Sequence, residues 1–332
     1  MKIIRPIELS DLNSLTEIAR TSGAGFSSLP NDKEFLQQRI LLSHQSLTQA
    51  ANAPSWQRYL FVLEDTLTNT IIGTSAIEAS VGFSHRLYSH KIAEHQRNGE
   101  SWQTIQVCND LEGSSEICSL FLDPKYRGSG LSRLLSRFRF LFMLAHPERF
   151  SKQVIAEMRG DSDDNDHSDF WAWYQQNYCP MTFKEVDHNI GLGDMSFAAQ
   201  LPSEPIELSR LPDSARRLIN RVHPNTEAAI PLLRNEGFRE SGCIGINDAG
   251  PAMVCELANL ATVKQAQRLR VSIEPFSASE YKEAHLCCNE RLAQFRAAIV
   301  PSIINGDYIL LSDEHAQMLN VECGDWLYIS PR

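Results

Sequence analysis

The sequence predicts an α/β fold of the α+β kind: a mixed sheet flanked by helices, followed by a small C-terminal β-barrel-like module. Three observations carry this expectation. Apolar runs of strand length alternate with amphipathic helical segments through most of the chain. Midway, a strand-like run leads through a glycine turn into a long apolar-faced helix. From about residue 268 the texture changes to short strands punctuated by Gly-Asp. At 332 residues the chain suits one large domain or two smaller ones. The boundary is placed between Thr262 and Arg270, giving units 1–265 and 266–332.

Each element follows from local pattern. Ile3-Ile4-Arg5-Pro6-Ile7 reads as a strand, and Ser10-Asp11 caps a helix with Leu12, Leu15, Ile18 and Ala19 on one face. Ser22 to Pro30 is a small, polar loop, either closing over a substrate or merely joining helices. A second helix spans about Asp32 to Ser46. Leu60–Glu64 and Ile71–Val81 form a hairpin around Thr68-Asn69. Residues 83–110 are polar and read as a loop, with His85, His90 and His95 on its solvated surface. Glu116 to Leu122 is a buried strand, stopped by Asp123-Pro124 because proline lacks the N–H a ladder needs. Leu131, Leu134, Leu135, Phe138, Leu141, Phe142 and Ala145 then recur at helical spacing. Val154–Met158 is a short strand, Asp161–Asp169 an acidic loop, and Phe170–Tyr174 opens an aromatic helix. Ser214–Val222 and Pro224–Glu236 read as helices, the second ended by Gly237. Cys243–Ile246 and Ala252–Leu257 pair as strands. In the tail, Ile309–Ser312 and Gly324–Ile329 read as strand segments around a helix at Asp313–Leu319.

Composition narrows the function. A net charge of −10 opposes a nucleic-acid binder, whose footprint is a basic face, and suits a cationic substrate. The N-terminus lacks an apolar signal region, and no stretch approaches the ~20 apolar residues of a membrane span. The eight cysteines form no C-x-x-C and no metal-ligand spacing, so they read as reduced thiols of a cytoplasmic protein, and no metal is expected. Cys179 reads as structural rather than as a nucleophile.

The stretch Arg127-Gly128-Ser129-Gly130 carries the most chemistry. A strand, a glycine turn and a helix N-terminus expose backbone N–H groups and the positive end of a helix dipole, and glycine admits a phosphate to close range. Lys125, Arg127, Arg133 and Arg137 add positive charge. There is no G-x-G-x-x-G for a dinucleotide fold and no G-K-[ST] for a P-loop.

The alternating elements and this turn resemble the GNAT superfamily of acyl-CoA N-acyltransferases. Its pyrophosphate pattern [QR]-x-x-G-x-[GA] is met by Arg127 and Gly130, with Ser132 replacing the last small residue. The chain is similar to the arginine N-succinyltransferase family along nearly its whole length. The resemblance rests on Ile4-Arg5-Pro6, Ser27-Ser28-Leu29-Pro30, Gly113-Ser114-Ser115-Glu116, Leu120-Phe121-Leu122-Asp123-Pro124, Ala156-Glu157-Met158-Arg159-Gly160, Val222-His223-Pro224-Asn225-Thr226, Glu236-Gly237-Phe238 and Ala249-Gly250-Pro251. The family's tail resembles Phe295-Arg296 and Gly324-Asp325. The resemblance implies transfer of the succinyl group of succinyl-CoA, a co-substrate, to the α-amine of L-arginine. The products are N2-succinyl-L-arginine and CoA, in the first step of the succinyl route of arginine catabolism. It implies that His223 is the proton donor, that Leu120 contacts succinyl-CoA and that the enzyme is a homo-oligomer. Departures from the family, such as the short segment 83–112, Asp169 before Phe170-Trp171, and Ile246-Asn247, bear on substrate preference.

The residues set requirements of their own. The amine must lose a proton before attack, the oxyanion needs a donor such as a backbone N–H beside Leu120, and the leaving thiolate needs a proton. A histidine titrating near ~6.5 suits the last task. Arginine's guanidinium wants a carboxylate. Glu78, Glu116 and Glu157 lie on or beside central strands, and each is either that partner or a member of an internal salt bridge. Arg159 or Arg5 is available for the free carboxylate of the succinyl group. The rivals are another acceptor, ornithine or another basic amino acid, and a non-catalytic acyl-CoA-binding regulatory module.

Overall fold

The computed structural model describes residues 1–22, 28–163, 167–274 and 283–332. The first half contains β1 (Lys2–Pro6), α1 (Leu12–Ser22), α2 (Lys33–Thr48), β2 (Arg58–Asp65), β3 (Thr70–Glu78), β4 (Ser89–Arg97), β5 (Glu100–Cys108), β6 (Ser115–Leu122), α3 (Leu131–Ala145) and β7 (Gln153–Glu157). Then come α4 (Asp169–Asn177), α5 (Phe183–Leu192), β8 (Ile206–Glu207), α6 (Asp213–Arg216), α7 (Ala229–Glu236), β9 (Arg239–Gly245), β10 (Pro251–Glu256) and α8 (Ala261–Lys264). The tail adds β11 (Gln267–Ile273), β12 (Glu283–Asn289), β13 (Ala297–Asn305), β14 (Tyr308–Leu311), α9 (Asp313–Leu319) and β15 (Trp326–Pro331).

The strands join in the order β12-β15-β11-β14-β13-β1-β2-β3-β6-β7-β10-β9-β4-β5-β8. A further β12–β13 pairing closes the first five into a ring, the expected barrel. Leu269, Val271, Val300, Ile309, Leu327 and Ile329 fill it. The mixed sheet is covered on both faces, which requires opposite side-chain sets on alternate strand residues. On one face, Leu15 of α1 and Leu36 and Ile40 of α2 pack on Leu60, Val62 and Ala76. On the other, Leu134, Leu135, Phe138 and Phe142 of α3 pack on Phe61, Leu63 and Ile77. Arg137 of α3 donates to the Pro331 carbonyl at 2.8 Å and to Ser330 Oγ at 2.9 Å, tying the barrel to the helix behind the glycine turn.

Several expectations are corrected. Residues 83–110 are not a loop throughout: β4 and β5 pair from Ser89↔Cys108 to Arg97↔Glu100. Their two-residue connection is Asn98-Gly99, with φ of 53° and 84°, the doubly left-handed turn that Asn-Gly favours. His90 is buried rather than solvated; it packs against Phe170 and Tyr174, and desolvation lowers its pKa to about 3. The helix expected at Ser214–Val222 shrinks to α6, and the one expected from Pro224 begins as α7 at Ala229. α5 answers a Thr182/Glu185 capping box that the composition of the segment obscures. The loop at Ser22–Pro30 falls largely outside the described residues, as does the centre of Asp161–Asp169. No helix among the described residues is long and apolar enough to cross a membrane.

Candidate active site

β6 and β7 part company inside the sheet. They pair in parallel only at Ser115↔Val154 and Glu116↔Ile155. Beyond that, β6 follows β3, whereas β7 follows β10. The divergence coincides with a bulge. Ala76 opposes Cys118 and Thr74 opposes Phe121, so β6 spends one more residue than β3 over the same span. Ser119 takes up the excess with a left-handed φ of 53°, and Thr74 Oγ1 pins its carbonyl at 2.9 Å inside the core. Leu120 follows immediately, on a strand edge that β7 no longer covers. Its side chain packs against the α3-side core, and the residue lines the cleft. An uncovered strand edge offers backbone donors and acceptors to a ligand.

The same strand leads into the glycine turn. Asp123 caps a single helical turn by accepting from the Lys125 N–H at 2.9 Å. Ser129 Oγ donates to the Tyr126 carbonyl at 2.5 Å. Gly128 and Gly130 have φ of 77° and 85°, and Gly130 is the residue that opens α3. A Cβ at Gly128 would meet nothing within 4 Å, so backbone conformation rather than space requires glycine there. The turn thus delivers the first N–H groups of α3 to the surface, where the helix dipole favours an anion. Lys125, Arg127, Gly128 and Ser132 line the cleft, whereas Ser129 and Gly130 are exposed parts of the turn beside it.

The cleft, about 1500 Å³, runs from this turn through the β6/β7 split to α1, α2, α5 and the segment 225–233. Its floor gathers the three carboxylates singled out above. Arg58, Glu78 and Glu116 are direct cross-strand neighbours on β2, β3 and β6, on the face that α1 and α2 cover. Glu116 opposes Ile155, and Glu157 lies two residues further along the same face of β7. Glu78 is spent on an ion pair with Arg58. Glu116 and Glu157 have no such partner among the described residues. Burial raises the Glu116 pKa, only partly offset by Arg58. Burial, then the Glu116 and Asp248 carboxylates, push Glu157 up to about 8. The Glu157 side chain is open to the cleft, so water softens this lift and a ligand that displaces water enforces it.

Asp248 is a fourth carboxylate at this end, lining the same cleft. It accepts from the Gly160 N–H at 2.6 Å and the Gly250 N–H at 2.9 Å, while burial still raises its pKa. A Cβ on Gly160 would come within 2.0 Å of the Asp248 carbonyl, and one on Gly250 within 2.0 Å of the Met158 carbonyl. This close contact explains the sequence blocks Met158-Arg159-Gly160 and Ala249-Gly250-Pro251, though nothing in either block foretells the juxtaposition.

His223 sits at the rim. Its N–H donates to the Arg159 carbonyl at 2.9 Å, beside a bridge between Gly160 and Val222 at the end of β7. Its Nδ1 accepts from the Asn225 N–H at 3.1 Å, which places the proton of the neutral imidazole on Nε2. Asn225 and Thr226 line the cleft, but His223 itself does not. Arg159 lines the cleft near the acidic end. Arg5 lies elsewhere, held by Asp11 at 2.7 Å and Glu64 at 2.5 Å, which removes it as a substrate contact. Two cleft arginines, Arg39 and Arg139, escaped sequence reasoning because each sits inside an amphipathic helix and reads as solvated surface. Cys179 is fully buried in the aromatic cluster around Tyr174. Cys108, Asp110 and Cys243 have ligand atoms within 4.8 Å of one another, outside the cleft, an arrangement that the sequence spacing hides.

A split sheet edge running into a glycine turn at a helix N-terminus, with acidic residues across the gap, defines an N-acyltransferase core of the acyl-CoA-dependent class. Comparison with known proteins sharpens this. Residues 2–262 match the family model for arginine N-succinyltransferase beta subunit, and residues 267–331 match that family's C-terminal domain. Arginine N-succinyltransferases of Enterobacter sp. (strain 638) and Yersinia enterocolitica are 35% and 33% identical to the chain, each comparison covering 98% of it and 96% of the relative. A solved structure, arginine/ornithine succinyltransferase subunit AI from Pseudomonas aeruginosa, aligns over 100% of this chain and 98% of its own, with a TM-score of 0.88 and 30% identity. The chain belongs to the arginine N-succinyltransferase family.

Proposed function

We propose that this chain transfers the succinyl group of succinyl-CoA to the α-amine of L-arginine, yielding N2-succinyl-L-arginine and CoA. The observation that carries the reading is the pairing of two features in one cleft: an anion-accepting turn at Arg127–Gly130 and, across the β6/β7 split, Glu116 and Glu157, which have no ion-pair partner among the described residues. The CoA pyrophosphate binds at Arg127, Gly128 and the first N–H groups of α3, with Ser129 and Gly130 holding the turn's shape. The thioester lies along β6 at Leu120, where the bulge frees a backbone N–H to polarise the carbonyl. The guanidinium of arginine is met by Glu116 and Glu157, while Glu78 is engaged by Arg58.

In this arrangement the deprotonated α-amine adds to the thioester carbon, the C–S bond breaks, and the thiolate leaves. His223 is the proton donor: in its imidazolium form it passes a proton to the departing sulfur, and the proton that the new amide nitrogen sheds restores it. Transfer is direct, through a ternary complex. The buried Cys179 and the desolvated Cys118, its pKa pushed up to about 11, are poor nucleophiles.

Residues 1–265 form the acyltransferase unit of this proposal and 266–332 an attached β-module. The eight free cysteines suit a reducing compartment, and we place the reaction in the cytoplasm. A homo-oligomer is part of the reading, and light scattering tests it. That relative is described as acting on arginine or ornithine, so ornithine is the second acceptor to consider. Thiol release from succinyl-CoA with arginine, ornithine or lysine decides. Release fastest with arginine is expected; faster release with ornithine replaces the acceptor, and none with any amine removes the enzyme.

A further inference from the structure

The cleft also holds positive charge that neither the CoA turn nor the guanidinium subsite uses. Arg39 reaches it from α2. Its guanidinium lies 4.4 Å from the centre of the Phe35 ring, and its Nε is buried with no hydrogen-bond partner among the described residues. No carboxylate among the described residues pairs with it. Burial, reinforced by the neighbouring Arg58 cation, lowers its pKa to about 9, against a weak opposing pull from Cys118. Arg58 itself is satisfied by Glu78. From the other wall comes Arg139 of α3, 2% exposed and, among the described residues, hydrogen-bonded within its own helix, to the Ser136 carbonyl at 3.0 Å and Ser136 Oγ at 3.3 Å. Desolvation lowers its pKa to about 10, against opposing pulls from Cys118 and the Glu236 carboxylate. Cys118, at the bulge of β6, bears on both guanidinium groups, which belong to the helices covering opposite faces of the sheet.

A guanidinium held out of water without a counter-ion is costly, and it regains most when a carboxylate docks bidentately on its fork. The Phe35 ring fixes the plane of Arg39, so less freedom remains to be lost on binding. Glu116, Glu157 and Asp248 disfavour an anion at the opposite end of the floor, whereas the Arg39 corner favours one.

We propose that Arg39 is the cleft's receptor for a substrate carboxylate. The naming of the ligand rests on the succinyl-transfer reading. Under it the carboxylate has two sources, the free end of the succinyl group or the α-carboxylate of the amino acid. Selectivity for one acyl donor or for an amino acid over a plain amine would then be set at Arg39, by charge rather than by shape.

The test is equilibrium binding by calorimetry to the full chain and to Arg39→Gln and Arg39→Met, which reads recognition whether or not turnover occurs. Four ligands are used: succinyl-CoA and butyryl-CoA, which differ by a carboxylate in place of a methyl, and L-arginine and agmatine, which differ by the α-carboxylate. The expected result is a loss of tenfold or more for succinyl-CoA or for L-arginine, with the uncharged counterpart bound as tightly as before. Which pair changes identifies the source. Equal losses within both pairs, or none, overturn the proposal. Thermal unfolding separates a structural role. Removing an uncompensated buried charge should leave Tm unchanged or raise it, and a fall in Tm with equal losses in both pairs assigns Arg39 to folding. Thiol release by the unaltered chain reports separately on the transfer reaction, so failure of that reading and failure of this one are told apart.

Discussion

The two ends of the cleft floor carry opposite charge imbalances. At one end Glu116, Glu157 and Asp248 crowd together with their carboxyl groups held above the ordinary carboxylate range. At the other, Arg39 and Arg139 are held below the ordinary range for arginine. Between them stands Arg58–Glu78, where a cation and an anion satisfy each other. The contrast separates structure from function. A charge pair that serves the fold neutralises itself, whereas charges kept apart across a cavity are stable only when a ligand supplies the missing partner. Arginine and succinyl-CoA together bring one guanidinium and carboxylates, the complement of this floor.

The largest expected effect lies outside both ends. His223→Ala should lower kcat on the order of 100-fold or more while leaving KM for either substrate within a fewfold, because proton transfer is lost and binding is not. An unchanged kcat in thiol-release kinetics would remove the assignment. Next, Glu116→Gln should raise KM for arginine by about tenfold, as expected for one charge-assisted hydrogen bond, and leave KM for succinyl-CoA alone. A rise confined to succinyl-CoA would reverse the polarity assigned to the two ends. Gly130→Val should cost at least ~1–2 kcal/mol of stability through its left-handed backbone, read as a lowered Tm, and should weaken CoA binding. Weakened stability with CoA affinity intact would detach the turn from CoA.

The smallest effect concerns protons. Glu157 is raised in the folded state from 4.5 to about 8, so the folded chain holds more protons than the unfolded one between those values. Its contribution to stability is therefore present at low pH and lost as pH rises through about 8. A bound guanidinium favours the ionised form, so arginine binding at pH 7 should release protons. Calorimetry in buffers of different ionisation enthalpy measures this. Proton uptake, or no exchange, would place the guanidinium elsewhere.

Much of the fold was legible because it rests on local patterns. The alternating strands and helices, the glycine turn and the β-rich tail all follow from periodicity and turn chemistry. The β4–β5 hairpin was legible too, in Asn98-Gly99, but the polar faces of an exposed hairpin mask its alternation. The site was legible only in part. Glu78, Glu116 and Glu157 stood out as carboxylates on apolar strands, yet register decides that Glu78 is spent and the other two are not. Asp248 and Arg39 gave no signal, because their roles come from contacts between segments far apart in sequence.

The central claim is that the acidic end recognises the charge of the acceptor's side chain. It is tested most directly by comparing L-arginine with L-citrulline, its uncharged near-isostere, in the unaltered chain and in Glu157→Gln. The account predicts that kcat/KM strongly favours arginine in the unaltered chain and that Glu157→Gln loses most of that preference, chiefly through KM. An unaltered preference in Glu157→Gln, or no preference at all in the unaltered chain, would contradict it.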